Sequence, residues 1–497
     1  MKYALDSTMA KFVDQYTIEQ MKVPSLVLME RASYSVALKV AEVAVRFERK
    51  VRIAAVCGCG NNGADGIATA RILTWQGLPV DIIIVGNEEH ASKEFAEQKE
   101  IALRSEMSFC NLSEISEYDI IVDAIFGTGL SRNIEGVYEN IVKAINENNN
   151  YVVSVDIPSG IDASTGRVLN CAVRADSTVT FGYHKTGMLL YPGRKFSGEV
   201  TVSDIGLCPR ALSEINPARY FVPEDIGCIP DRKSYSNKGT YLRTLVIAGS
   251  EDMSGAAYLS GAAAYRCGTG LVEILSHSAN CEVLKRLLPE AIITSYDNDN
   301  AIHKLRTSSD RADIIIIGPG LSLKPVACEL VKYVLANTNK PLIIDADGLN
   351  IISNDIDILK NHIAPVIITP HIGEMMRLTR MGKEDILRNL PKTAMDFAKE
   401  NNVICVVKDA ATVVAEPYTE RVYINTSGCG AMSKAGMGDV LTGVIAAMLA
   451  LGLEPFSAAA MGVYVHGFAG EAAAYDVGEH SLLASDLLDK FGKILSP

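Results

Sequence analysis

Residues 51–66 read Val-Arg-Ile-Ala-Ala-Val-Cys-Gly-Cys-Gly-Asn-Asn-Gly-Ala-Asp-Gly. A mostly apolar run of strand length, 51–56, enters a glycine-rich turn, and a helical pattern follows. Gly58, Gly60 and Gly63 satisfy GxGxxG, whose missing side chains let backbone amides approach a pyrophosphate at the positively polarised start of a helix. A tight strand-to-helix turn would satisfy the same pattern, so the pattern alone is weak. Its place between strand and helix favours phosphate. A dehydrogenase would carry an acid at the end of the next strand for the ribose hydroxyls. Here that position reads Val85-Gly86-Asn87, which weakens that reading.

Working outward, apolar runs at 80–85, 119–124, 151–157 and 178–181 alternate with helical patterns, as βαβ units on a parallel sheet do. A helix is expected over 18–45, ahead of them. Between 207 and 239 the pattern lapses into Pro209, Pro217, Pro223 and Pro230 with mixed polar residues, the composition of a linker. A second series then begins, with strands expected at 244–248, 271–275, 313–317, 342–345, 366–369 and 404–407. We therefore expect an α/β protein of two three-layer domains over 1–215 and 235–497, joined through 216–234. In open α/β sheets ligands sit at the carboxyl ends of strands.

Bulk properties narrow the partners. A chain of 497 residues exceeds what one core usually serves, so two large halves are expected. The net charge of -12 argues against a nucleic-acid backbone or an anionic membrane as main partner. The longest apolar stretch, 440–453, is too short to span a bilayer and follows Asp439, so a buried helix is expected. Residues 1–6 carry neither a basic run nor an apolar core, so we expect no secretory signal and a cytoplasmic protein. Eleven cysteines without CxxC pairs read as reduced thiols, with neither zinc nor disulfide assigned. Homo-oligomeric assembly is also expected.

The expected strand ends carry more chemistry than a plain nucleotide loop needs. In the first half they are Asp123-Ala124-Ile125-Phe126-Gly127-Thr128-Gly129-Leu130, Asp156-Ile157-Pro158-Ser159-Gly160 and Phe181-Gly182-Tyr183-His184-Lys185. One strand-end aspartate is often a cap or turn residue, but several loops converging on one crevice make capping alone a poor account. One carboxylate there suits acid or base work; another suits a hard cation, with Asn62 and Ser159 as oxygen partners. In the second half, residues 425–439 read NTSGCGAMSKAGMGD and open a helix. Small residues allow an amide nest, the helix adds its dipole, and Asp439 is placed to take a proton from a hydroxyl attacking phosphorus. His371 and Glu374 lack the HExxH spacing of a zinc protease. Lys408 suits a phosphate or plain solvent.

With these residues in view a resemblance becomes specific. The strings NNGADG, DAIFGTGL, SVDIPSG and TVTFGYHKTG resemble the epimerase domain of the NAD(P)H-hydrate repair enzymes over residues 1–215. That resemblance implies a Rossmann-like fold interconverting the R and S forms of hydrated NADH or NADPH. By matched position it implies that Asn61, Asn62, Gly63, Ala64, Asp65, Gly127, Thr128, Gly129, Leu130, Ser131, Arg132, Asn133 and Asp156 contact the substrate. Potassium would fall to Asn62, Asp123 and Ser159. The hydrated ring carries its hydroxyl on a carbon bonded to nitrogen, so the nitrogen lone pair expels it and water returns on the other face. Asp156 is the candidate acid or base for those steps. Residues 235–497, through SNKGTYLRTLVIAGS, IIGPGL, IDADGLN, ITPHIGEMMRL and KAGMGDVLTGVIAAML, resemble the ribokinase-like dehydratase domain of the same enzymes. This half implies phosphorylation of the S hydrate by ADP or ATP with magnesium, followed by loss of phosphate. Ala256, Gly320, His371 and Asp439 would contact the hydrate; Lys408, Asp409, Ala410, Ala411, Thr412 and Gly438 would contact the nucleotide. The chain departs from the family at Ala64 and Asp409, where glycine is usual, and at Gly348, where alanine is common. The competing readings are a small-molecule kinase of the ribokinase group, a first half that binds without catalysing, and an NAD-dependent dehydrogenase.

Overall fold

A computed structural model describes residues 1–495. The chain divides into two compact units, one of Tyr3–Ala218 and one of Arg219–Pro497 with Met1–Lys2. The last two residues of the expected second domain lie outside the described residues.

In the unit Tyr3–Ala218 parallel strands run in the order Val80–Ile84, Ile53–Cys57, Ile120–Ala124, Tyr151–Val155, Ser177–Phe181 and Glu199–Ser203. The chain starts at Ile53–Cys57, goes one way to Val80–Ile84 and then the other way to Ile120–Ala124. That reversal opens a crevice beyond the carboxyl ends of Ile53–Cys57 and Ile120–Ala124, where such sheets bind ligands. Ile53, Ala55 and Val122 are buried under Val36 and Val40 of the helix Ser25–Val45, while Ala54, Val56 and Ile121 are buried on the opposite face. Burial on both faces explains the uninterrupted apolar runs. Each large aliphatic so buried contributes about 1.5–3 kcal/mol.

The other unit repeats the plan. Its strands Ile292–Tyr296, Leu271–His277, Arg243–Ile247, Ile314–Ile317, Leu342–Ile344, Val366–Ile368 and Ile404–Val407 are parallel, and Val413–Ala415 and Val422–Ile424 continue the sheet antiparallel. The order reverses between Arg243–Ile247 and Ile314–Ile317. There Gly249 N donates to Pro319 O (2.9 Å) and Ser250 N to Gly320 O (2.7 Å), tying the two strand-end loops together. The helix Met437–Ala450 is apolar all round and buried, as expected for 440–453. It lies against the helix Ser254–Arg266 so closely that a Cβ on Gly443 would meet Ser260 O at 2.2 Å. Ser260 Oγ in turn donates to Asp439 O (3.0 Å), which fixes the start of the buried helix. No helix among the described residues is long and apolar enough to cross a membrane.

The expected helix over 18–45 is two elements, a π-helical turn Tyr16–Gln20 and the helix Ser25–Val45. Pro24 separates them, because proline disfavours helical backbone at the residue before it and lacks the amide to continue a ladder. The stretch read as linker carries structure too. Arg219 pairs with Tyr423, and Phe221 is buried with its ring 4.8 Å from that of Tyr423 and 5.7 Å from that of Tyr464. One apolar anchor, Phe221, was hidden there among prolines.

Candidate active sites

In the first unit the glycine turn leads into the helix Asn61–Trp75, with Gly60 as its N-cap. A Cβ on Gly63 would lie 1.7 Å from Gly58 O, so the turn closes only around glycine. Around Gly60, by contrast, a Cβ would meet nothing within 4 Å, which leaves that face free for a ligand. Ala64 is buried, with its amide bonded to Gly60 O (3.0 Å), so its methyl turns inward. A Cβ on Gly86, where a dehydrogenase would begin its ribose contact, would lie 2.0 Å from the Tyr138 hydroxyl.

Asp123 ends its strand fully buried. Its carboxylate accepts from Ser154 Oγ (2.7 Å), Ser159 N (2.9 Å) and Ser159 Oγ (2.6 Å). Burial raises this carboxyl above the usual range even against those hydrogen bonds. Ser159 Oγ also accepts from Phe126 N (2.9 Å), joining this cluster to the loop that continues through Gly127. A Cβ on Gly127 would meet Asn62 Oδ1 at 3.0 Å, so Asn62 and Gly127 are neighbours. The Asn62 Nδ2 is buried without a partner. Ser131, Arg132 and Asn133 lie exposed beyond that loop.

Asp156 adopts left-handed backbone at φ 65° and accepts through Oδ1 from Lys185 Nζ (2.7 Å), Thr180 Oγ1 (3.1 Å) and Phe181 N (3.2 Å). Lys185 is buried, and its ammonium also reaches Thr180 Oγ1 (2.8 Å). Sequence reading quoted Lys185 without giving it a role, since nothing local shows that it folds back onto Asp156. It missed Asp14 of the helix Ser7–Gln15 altogether. Burial, then the charges of Asp156 and Glu94, raise the Asp14 carboxyl. Burial and Asp156, followed by Asp14 and Glu94, hold Asp65 well above the usual range.

In the second unit Asp439 is the third residue of the helix Met437–Ala450, whose N-cap Gly436 has φ 89°. Burial first, then the charge of Asp345, push its carboxyl up to about 7, while Lys408 pulls the other way. Lys408 Nζ donates to Asp345 Oδ1 (2.7 Å). A Cβ on Gly438 would sit 3.1 Å from Lys408 Nζ and 3.2 Å from Asp345 Oδ2, so this glycine lets the helix start lie directly on the ion pair. Burial works against the Lys408 ammonium, yet Asp345 and Glu374 outweigh it and its pKa is raised. His371 caps the helix Ile372–Thr379: its amide donates to Glu374 Oε2 (2.8 Å), and its Nδ1 accepts from Glu374 N (3.2 Å). Burial pushes Glu374 up to about 7. Ala256 and Gly320 meet, a Cβ on the latter falling 2.9 Å from Ala256 Cβ. Thr412 O accepts from Asn425 N (2.8 Å), which ties the strip 408–412 to the small-residue loop; Asp409 and Ala410 are exposed on it. Asp345 closes the expected strand 342–345, where nothing local gives it a role, and its place at the centre of the group comes from pairing across 63 positions.

Two parallel-sheet units, each with glycine loops, strand-end carboxylates and an amide-rich helix start, define an α/β enzyme of the class that handles phosphorylated nucleotides. Residues 25–187 match the family described as YjeF-related protein N-terminus, and residues 244–493 match that described as NAD(P)H-hydrate dehydratase. The chain is 37% identical to the bifunctional NAD(P)H-hydrate repair enzyme of Thermofilum pendens, over 98% of this chain and 94% of that one. It is 32% identical to the enzyme of that name from Escherichia coli, over 89% and 84%. Among solved structures, the ADP/ATP-dependent NAD(P)H-hydrate dehydratase of Bacillus subtilis, co-crystallised with ATP and magnesium, is 31% identical. It matches 56% of this chain and 97% of its own with a TM-score of 0.50. The chain belongs to the family of bifunctional NAD(P)H-hydrate repair enzymes.

Proposed function

We propose that the unit Tyr3–Ala218 epimerises the R and S hydrates of NADH and NADPH, and that Arg219–Pro497 dehydrates the S hydrate through a phosphorylated intermediate made with ADP or ATP. The observation that carries the reading is Asp439 beside the Lys408–Asp345 pair, at a helix start that only glycine lets lie so close. Asp439 takes the proton of the substrate hydroxyl as that oxygen attacks phosphorus; backbone amides from Ala435 to Gly438 and the Lys408 ammonium face the transferring phosphoryl group. Phosphorylation turns hydroxide into a leaving group that the ring nitrogen lone pair expels as phosphate. Ala256 and Gly320 leave room for the hydrate against the strand-end loops.

Magnesium suits this site because its donors are carboxylate oxygens, and it is ordinarily held through substrate phosphates with one or two carboxylates. Asp345 and Asp347 would hold it, and it would neutralise charge on the phosphates. Among the described residues no three His, Cys, Asp or Glu side chains gather as a metal cage, in keeping with that mode. Potassium in the first unit would fall to Asn62, Asp123 and Ser159. The unpartnered end of the Asn62 amide supports this, since nitrogen and oxygen of an amide are interchangeable in placement and an oxygen there completes the donor set. Hydrate binding indifferent to exchanging potassium for sodium would refute it. Cytoplasmic location and homo-oligomeric assembly complete the proposal.

The test supplies mixed NADH hydrates with ADP or ATP and follows NADH absorbance. Full recovery is expected. A phosphorylated product that accumulates without NADH would make the second unit a kinase, and no reaction with either donor would remove the reading.

A further inference from the structure

We propose that epimerisation runs on two carboxyls with divided roles: Asp65 gives its proton to the departing hydroxyl, and Asp156, anchored by Lys185, takes one from the water that returns on the opposite face. The inference rests on the epimerase reading and assigns that site its acid and its base.

The charge of Asp156 acts on Asp65, but the two carboxyls have opposite surroundings. Asp156 Oδ1 receives a buried ammonium at 2.7 Å, a hydroxyl at 3.1 Å and an amide at 3.2 Å, which hold the carboxyl in one orientation as an acceptor. Asp65, one turn into the helix Asn61–Trp75, has no hydrogen-bond or ion-pair partner for its carboxyl among the described residues; only its carbonyl is engaged, by Thr69 Oγ1 at 2.8 Å. The charged groups that face it are all acids: Asp156 from the sheet, Asp14 from the helix Ser7–Gln15 and Glu94 from the helix Lys93–Arg104. The Lys185 ammonium is spent on Asp156. Like charges disfavour one another's ionisation, and the carboxyl without a donor keeps the proton.

The ring nitrogen lone pair forms a carbon–nitrogen double bond as the carbon–oxygen bond breaks, and the oxygen leaves as water with the Asp65 proton. A water then attacks the same carbon from the other face, the double-bond pair returns to nitrogen, and the surplus proton goes to Asp156. One proton has moved from Asp65 to Asp156, and its return through solvent closes the cycle. The reverse reaction uses the two carboxyls in exchanged roles.

The experiment uses the full chain without nucleotide, so that the second unit is silent, and follows conversion of purified R hydrate to S by chromatography across pH. For the wild type we expect kcat to fall on the alkaline side as Asp65 loses its proton. Asp65→Asn should lower kcat by about 10²–10⁴-fold, leave KM within a few fold and abolish the alkaline limb. Asp65→Glu, which keeps a proton to give, should recover part of the rate and the limb. Lys185→Met should lower kcat by releasing Asp156 from its anchor while the alkaline limb stays in place, and Lys185→Arg, which keeps a donor on Asp156, should recover part of the rate. Asp65→Asn at near wild-type rate, a slow variant that keeps the alkaline limb, or a loss confined to KM each overturns the assignment. A wild type that epimerises at no pH instead removes the epimerase reading itself.

Discussion

Asp439 is a residue whose chemistry and stability pull apart. Burial and Asp345 raise its carboxyl from an ordinary 3.8 to about 7. Between those values the folded chain holds a proton that the unfolded chain has released, so stability falls as pH rises through that window. The ionised form needed for proton abstraction is therefore made at the expense of the fold. Asp439→Asn cannot titrate, so its stability relative to wild type should grow from about pH 4 to about pH 7, read from thermal unfolding in a buffer series. The same variant should lose about 10²–10⁴-fold in dehydratase kcat while nucleotide affinity stays within a few fold, since backbone amides bind the anion. Wild-type kcat should rise with pH through about 7 as the base ionises. If the Asn variant repairs S hydrate at near wild-type rate, or the stability gap is flat with pH, Asp439 is a helix-start residue and nothing more.

At the scale of elements, the glycine turn separates two uses of one residue type. Gly63→Ala puts a methyl where Gly58 O already lies, and backbone cannot swing aside as a flexible side chain can. It should cost about 1–3 kcal/mol, or more, and lower the melting temperature. Gly60→Ser meets open space and supplies a good N-cap, so it should melt like wild type yet raise KM for the hydrate by filling the ligand's approach. Equal KM in Gly60→Ser and wild type would show that the open face is not the binding face. The same elements show why part of the design was legible. Ile53–Cys57, Ile120–Ala124 and Ile314–Ile317 are buried on both faces and read as unbroken apolar runs. Glu199–Ser203 is a half-exposed edge strand of mixed character, and Val413–Ala415 has three residues, so neither leaves a periodic trace. Strand-end aspartates stood out because they interrupt apolar runs beside glycine. Their partners did not: Lys185 reaches Asp156 across 29 positions and Lys408 reaches Asp345 across 63, pairings set by strand order.

For the whole molecule, two compact units with a site apiece imply two separable activities acting on one pool. On the proposed reading the second accepts only the S hydrate, so recovery of NADH from a mixture has a fast part set by the S already present and a remainder set by how quickly R is converted. In the wild type both parts should merge into one complete recovery. Asp156→Asn keeps the shape of its side chain but cannot accept a proton, so it should repair the initial S fraction at the normal rate and then stall at the slow uncatalysed interconversion. The size of the fast phase should equal the S content measured beforehand by chromatography. Adding the Asp439→Asn chain should restore complete recovery, because its first unit still supplies S while its second is inert. Two full-length chains, each dead in one site, should then match the wild type in yield. If the mixture still stalls, either the Asp156 variant has lost more than its base or the two activities depend on each other within one chain. Measuring R-to-S conversion by Asp439→Asn alone, with no nucleotide present, tells these apart: normal conversion shows that the Asp156 variant has lost more than its base, and absent conversion removes the claim that the sites are independent.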